Sequence, residues 1–223
     1  MVVRIFSILA KLAVLFIMLS MLAVVLFRFV PVPYTLTMAM DEHATTKNWV
    51  PLSRIDRNMV SAVIAAEDSK FCAHDGFDSE AIEQAIEERV AGKRERGAST
   101  ISQQTAKNVF LWQGGGFFRK GLEAYFTFLI ETLWDKRRIM EVYLNVAETG
   151  IGTYGVESAS QRYFQHSAAR LTRTEAARIA AVLPSPKKRA AVNPRGFTAR
   201  YGNTISARIG VVRRDGLDIC VYE

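Results

Sequence analysis

The stretch RNMVSAVIAAEDSKF, residues 57–71, decides the fold class. Val60, Val63, Ile64, Glu67 and Phe71 fall within about one third of a turn on a wheel of about 3.6 residues, which predicts a helix with one apolar face. Glu67 interrupts that face. A carboxylate on a core face either finds a partner or has its pKa raised by desolvation, and the second outcome suits a general base. Asp68 follows directly and points about 100° away on a helix, so spacing alone makes no shared-proton dyad. Read alone, Glu67 serves equally well as a buried capping or ion-pair residue.

From Arg57 onward the apolar pattern stays helical, with few alternating β-branched runs. Helices are predicted over 57–71, 79–91, 100–109, 119–134, 136–147, 156–164, 173–182 and 199–213, with flexible breaks at 92–97 and 113–116. Toward the N-terminus, residues 12–27 carry no charge and, extended through Val30, approach the roughly 20 residues a spanning helix needs. Arg4 and Lys11 precede this run, and Arg28 can snorkel at the far interface. A short basic N-terminus favours a cytoplasmic start and an outward-facing domain. A cleaved signal peptide is the competing reading, but the run is long for one and no small-x-small site follows it. Residues 1–30 are therefore assigned to an anchor, 31–50 to an extended connector without periodicity, and 51–223 to one mainly helical domain.

A chain of 223 residues holds one anchor and one domain with a real core, not two enzymatic domains. The formal charge of +7 and pI near 9.6 point to an anionic partner (nucleic acid, lipid surface or phosphorylated substrate) without choosing among them. Cys72 and Cys220 have no metal-like spacing and are read as unpaired, although an oxidising compartment would allow a disulfide if the fold joined them.

Two further segments carry polar chemistry. In GASTISQQTAKN, residues 97–108, Thr100 and Gln103 have capping-box spacing, and Ser99, Gln103 and Lys107 recur at i, i+4 and i+8. Such a face binds sugar and phosphate oxygens, or is simply solvated. Arg119 and Lys120 sit four and three residues before Glu123, so the three converge on a helix. They read as a surface ion pair or as a cationic cradle for a diphosphate, with the carboxylate ordering it or holding a divalent ion.

Taken in order, Glu67-Asp68-x-x-Phe71-x-x-His74-x-Gly76, Gly97-x-Ser99-Thr100-x-x-Gln103-Gln104-x-x-Lys107-Asn108, Arg119-Lys120-x-x-Glu123 and Lys136-x-x-Ile139-x-Glu141-x-Tyr143-Leu144-Asn145 resemble the successive motifs of the family 51 glycosyltransferases, the peptidoglycan polymerases. The resemblance spans residues 51–194, and the wording of 136–164 is closest to the monofunctional biosynthetic peptidoglycan transglycosylases. It implies a partly lysozyme-like helical catalytic domain. It also implies a donor glycan chain on undecaprenyl diphosphate and lipid II as acceptor.

In that family the residue matching Glu67 deprotonates the acceptor 4-hydroxyl, which attacks the anomeric carbon with inversion. Glu123 matches the second essential glutamate, near the donor diphosphate. The resemblance puts Ser99, Thr100, Gln103, Gln104, Lys107, Asn108, Arg119 and Lys120 at the substrate and its diphosphate. It makes Asp68, Phe71, His74, Gly76, Glu141, Tyr143 and Asn145 supports of the site. A diphosphate leaves readily and needs charge stabilisation more than a proton, whereas glycoside hydrolysis expels an alcohol and needs an acid. No cofactor is demanded outright; Mg2+ or Mn2+ at Glu123 stays open, since Lys107 and Arg119 can replace it.

The bilayer is a further expected partner, and association with other cell-wall synthesis proteins stays open. The expected site is the bacterial inner membrane, crossed once, with the domain in the periplasm. Phe110, Leu111, Trp112, Phe117 and Phe118 flank the glycine-rich break as a flap dipping into the interface or as ordinary core aromatics. Basic clusters at 89–96, 136–138 and 187–189 are scattered, which disfavours nucleic acid and suits anionic headgroups. Gly150-Ile151-Gly152-Thr153-Tyr154-Gly155 matches a dinucleotide-binding pattern but follows a predicted helix without a βαβ unit. Ser185-Pro186-Lys187-Lys188 matches an acyltransferase signature with no room for that domain. The remaining rivals are a lysozyme-type cleaving enzyme and a silent recruiter of wall machinery. The segment after Pro194 offers no readable chemistry.

Overall fold

A computed structural model describes residues 2–92, 97 and 99–223. Ten helices are described: α1 (Val2–Phe29), α2 (Leu36–Ala39), α3 (Arg57–Glu67), α4 (Ser79–Val90), α5 (Ile101–Phe110), α6 (Gly116–Leu133), α7 (Lys136–Val146), α8 (Val156–Phe164), α9 (Arg173–Val182) and α10 (Gly196–Arg214). Short strands β1 (Thr46–Lys47), β2 (Glu148–Gly150) and β3 (Thr153–Tyr154) form one sheet in the order β1-β3-β2, parallel between β1 and β3 and antiparallel between β3 and β2. The domain is mainly helical, as its periodicity predicts. Side-chain caps start the helices where sequence places them: Asp56 on α3, Asp78 on α4, Thr100 on α5, Asp135 on α7 and Thr172 on α9. The core joins α3, α9 and α10 on one side to α5, α6 and α7 on the other.

Helix α1 is long and apolar enough to cross a membrane. Its 28 residues span about 42 Å at about 1.5 Å each, more than the ~30 Å hydrocarbon core. The surplus docks on the domain. Ser20 Oγ lies 2.6 Å from Tyr125 Oη, Trp134 Nε1 donates to the Val24 carbonyl at 2.8 Å, and Arg138 donates to the carbonyls of Phe27 and Val30. Arg138 thus satisfies carbonyls at the end of α1 that no further helical turn would meet.

The structure corrects four expectations. First, the predicted helix 57–71 ends at Glu67. Asp68 leaves it with φ −161°, because its carboxylate accepts from the Ile101 amide at 3.0 Å and from His74, competing with the helical ladder. Phe71 is fully buried, but from the turn beyond the helix.

Second, the connector is structured. It contains α2 and β1, buries Val32, Thr35 and Met38, and is stapled by Asn145, which bonds both the Val50 amide and carbonyl at 2.9 Å. Elements of four and two residues are too short to leave a periodic signal. Third, Lys136, Arg137 and Arg138 bind Glu131, the Val221 carbonyl and the end of α1, so this cluster holds the fold together rather than meeting headgroups. The break at 92–97 and the 89–96 cluster lie partly outside the described residues. The dinucleotide-like hexapeptide forms the β2–β3 hairpin, and Gly155 is needed there because a Cβ would stand 2.8 Å from the Asn145 carbonyl oxygen.

Fourth, Cys72 and Cys220 are joined in a disulfide across 148 residues of sequence. It fastens the C-terminal tail to the turn after α3. Buried Asp218 adds a second tie, accepting from Arg57 at 2.8 and 3.0 Å and from Ser61 at 3.1 Å. Closing so long a loop constrains the unfolded chain strongly. Reduction, or Cys72→Ser with Cys220→Ser, is expected to cost about 2–4 kcal/mol. Guanidinium unfolding of the solubilised chain with and without reductant measures it.

Candidate active site

A cleft of about 1080 Å³ opens between the two halves of the core. Glu67, Ser99, Gln104, Lys107, Glu123, Leu183, Arg189, Phe197, Tyr201 and Arg208 are among its walls. The last turn of α3 delivers Glu67 to it. Residues 59–65 of that helix are buried, so its end is rigidly placed and only Ala66 and Glu67 of it reach the opening. Gln104 Nε2 donates to Glu67 Oε2 at 2.9 Å, and Tyr143 Oη steadies Gln104 by donating to its Oε1 at 3.3 Å. Glu67 Oε1 is buried without a hydrogen-bond partner among the described residues. Burial pushes the Glu67 carboxyl above the ordinary carboxylate range, against the Gln104 bond and the charges of Arg189 and Lys107.

The turn behind Glu67 is a closed hydrogen-bond ring. The Gly76 amide donates to His74 Nδ1 at 3.1 Å, so the ring proton sits on Nε2 and goes to Asp68 at 3.0 Å. Asp68 in turn caps α5 through Ile101, and Thr100 Oγ1 donates to the Gly76 carbonyl at 2.7 Å. Gly76 has φ +90°, and a Cβ there would stand 2.8 Å from both Glu131 Cγ and Thr127 Cγ2. Gly76→Ala is expected to lose about 3 kcal/mol of stability from backbone strain plus overpacking. Its thermal midpoint against wild type checks this.

Across the cleft, Glu123 is buried on α6 and accepts from Arg119 Nη1 at 2.5 Å and from Lys120 Nζ. Lys120 also donates to Ser99 Oγ at 3.3 Å. Lys107 projects from α5 into the same space, with no carboxylate at ion-pair distance among the described residues. Burial pulls its ammonium pKa down, opposed by the Glu123 charge.

The expected site residues therefore divide. Glu67, Ser99, Gln104, Lys107 and Glu123 meet at the cleft, with Arg119 and Lys120 on Glu123. Thr100 and Gln103, expected at the substrate face, are instead buried and spend their side chains on the reciprocal cap of α5. The cap turns Gln103 inward and leaves Gln104 on the cleft, where it bonds Glu67. Asn108 is buried and lines none of the cleft, and Asn145 serves the connector. Of the apolar residues by the break, Leu111 is core whereas Phe117 and Phe118 are 94% and 74% exposed.

A divalent ion fits poorly. Both Glu123 oxygens already accept from cations, and no cluster of three His, Cys, Asp or Glu exists among the described residues, so no step is derived through a metal.

Sequence reading missed Arg189, Phe197, Tyr201 and Arg208, which form the wall opposite Lys107. Three of them lie beyond Pro194, on α10, a segment with no motif. Arg189 closes the Lys187-Lys188-Arg189 cluster, whose Lys187 is held by Asp41 at 3.4 Å and Glu148 at 3.7 Å. Lys187 and Lys188 themselves remain exposed, so only Arg189 of this cluster turns into the cleft.

The family model described as Transglycosylase matches residues 35–208. The chain belongs to the transglycosylase family. Relatives called biosynthetic peptidoglycan transglycosylase include one from Caulobacter vibrioides, 52% identical over 89% of this chain and 88% of its own. Another, from Rhodospirillum centenum, is 45% identical over 99% of this chain and 95% of its own. A third, from Bdellovibrio bacteriovorus, is 52% identical over 80% of this chain and 75% of its own. In this transglycosylase the matched region includes every cleft residue named above and stops short of the disulfide-bonded tail.

Proposed function

We propose that this transglycosylase is a peptidoglycan glycosyltransferase that polymerises lipid II into glycan strands with inversion, releasing undecaprenyl diphosphate. One observation carries the reading: of the glutamates lining a single cleft, Glu67 and Glu123 stand in opposite electrostatic surroundings. Glu67 is desolvated, with one oxygen bare among the described residues, which suits a base for the acceptor 4-hydroxyl. Glu123 is wedged between two cations with Lys107 alongside, which suits a leaving diphosphate. Burial of Glu67 would equally serve the acid of a lysozyme-type hydrolase; the cations favour transfer, because an alcohol leaving group gives them nothing to neutralise. A second cavity of about 290 Å³ on the other flank of Glu67 offers room for the acceptor.

The membrane placement follows the same reading. Helix α1 crosses the inner membrane with Arg4 and Lys11 in the cytoplasm, and the disulfide suits a domain in the oxidising periplasm. Exposed Phe117 and Phe118 at the start of α6 sit in the interface beside the polyprenyl tail. The test is incubation of the full chain, in detergent, with labelled lipid II. Strand growth with lipid II consumption is expected; shortening of preformed strands without growth would make it a hydrolase, and neither would favour a recruiting role.

A further inference from the structure

Arg189 has no part in the scheme above, yet its placement is tightly determined. Its Nη1 donates to the Ala181 carbonyl at 2.8 Å. Its guanidinium lies 5.1 and 5.8 Å from the ring centroids of Phe197 and Tyr201, which stack on each other at 5.6 Å. Tyr201 Oη then donates to the Ala66 carbonyl at 2.9 Å, one residue before Glu67. The aromatic pair that fixes the cation thus also grips the backbone that carries the carboxylate.

We propose that Arg189 is a positioning residue for the transfer reaction: a rigidly held cation that keeps the Glu67 carboxylate ionised and facing the cleft. The inference rests on Glu67 being the base. The need for such a cation follows from the geometry. Among the described residues Glu67 has one amide donor on Oε2 and nothing on Oε1, so a buried carboxylate there would otherwise take up a proton.

Among the described residues, the charged and titratable groups around it are Asp68 next in sequence, Glu88 of α4, Lys107 of α5, Glu123 of α6, Tyr143 of α7, Arg189, and Tyr201 and Arg208 of α10. Among these cations Lys107 also feels Glu123 and, in the proposed reaction, the diphosphate. Arg189 stays with Glu67, and its charge draws the Glu67 pKa down more strongly than that of Lys107.

The experiment is the pH profile of kcat/KM for lipid II polymerisation by the full chain in detergent, for wild type, Arg189→Met and Arg189→Lys. Met keeps an apolar stem over the rings and removes the charge. Its acidic limb is expected to move up by about one pH unit, giving a roughly 10-fold loss on that limb and recovery toward wild type above it. Lys should leave the limb near its wild-type position. A lowered plateau with an unmoved limb would overturn the proposal while leaving Glu67 as the base, since support of the loop or contact with substrate gives that pattern. Full activity of Glu67→Gln would sink both. Thermal unfolding checks that the variants are folded; should Met fail, Arg189→Gln, which retains a donor for Ala181, is read by the same limb.

Discussion

Glu67→Gln is expected to lower kcat for lipid II polymerisation by about 10³-fold, within the usual range for loss of a general base, with no loss of stability. Glutamine preserves the shape and can still accept from Gln104, but it cannot take the acceptor proton. The stability half of the result follows from the sign of the pKa shift. A carboxyl raised in the folded state binds its proton more tightly there than in the unfolded chain. Its contribution to stability is therefore greatest at low pH and is lost as pH rises from the unfolded toward the folded pKa. Wherever Glu67 is ionised its burial costs the fold something, and a neutral glutamine relieves it. A thermal midpoint equal to or above wild type, beside inactive protein, is the expected pair. In the wild type the acidic limb of kcat/KM should lie above the ordinary glutamate value, and protonation below it should abolish turnover. A large fall in the midpoint would mean that Glu67 is instead a structural ion-pair residue.

Glu123→Gln should behave in the opposite way, losing both activity and stability. The change leaves Arg119 and Lys120 without the buried charge they share. The Arg119 arm is largely buried, whereas Lys120 is 46% exposed and contributes less. Breaking a buried pair costs about 3–5 kcal/mol, so a loss of about 2–3 kcal/mol is expected after allowing for the exposed arm. Turnover should fall about 10²-fold, since the cations that would meet the diphosphate lose their fixed positions. Single-turnover kinetics and thermal unfolding on one preparation measure both. Unchanged stability would show that the cations rearrange freely and that Glu123 orders nothing.

The contrast between these two glutamates shows how much was legible in the sequence. Both could be picked out: Glu67 because it breaks an apolar stripe, Glu123 because two cations precede it by one helical turn. Helix positions were readable too, since Asp56, Thr100, Asp135 and Thr172 cap within one turn and act locally. What misled was local as well. Thr100 and Gln103 looked like ligand groups, yet the capping box that the same spacing predicts consumes them.

Periodicity, capping and i, i+4 pairing are short-range, so the helical class, the apolar N-terminal helix, the order of the motifs and the two glutamates were legible along the chain. Long-range packing instead established that Asp68 ends α3 by capping α5, 33 residues later, and that Cys72 meets Cys220 across 148 residues. The folded core alone brought Arg189, Phe197 and Tyr201 into one cleft with Glu67. Those contacts depend on how helices pack across the core, and packing joins residues whose separation along the chain leaves no pattern to read.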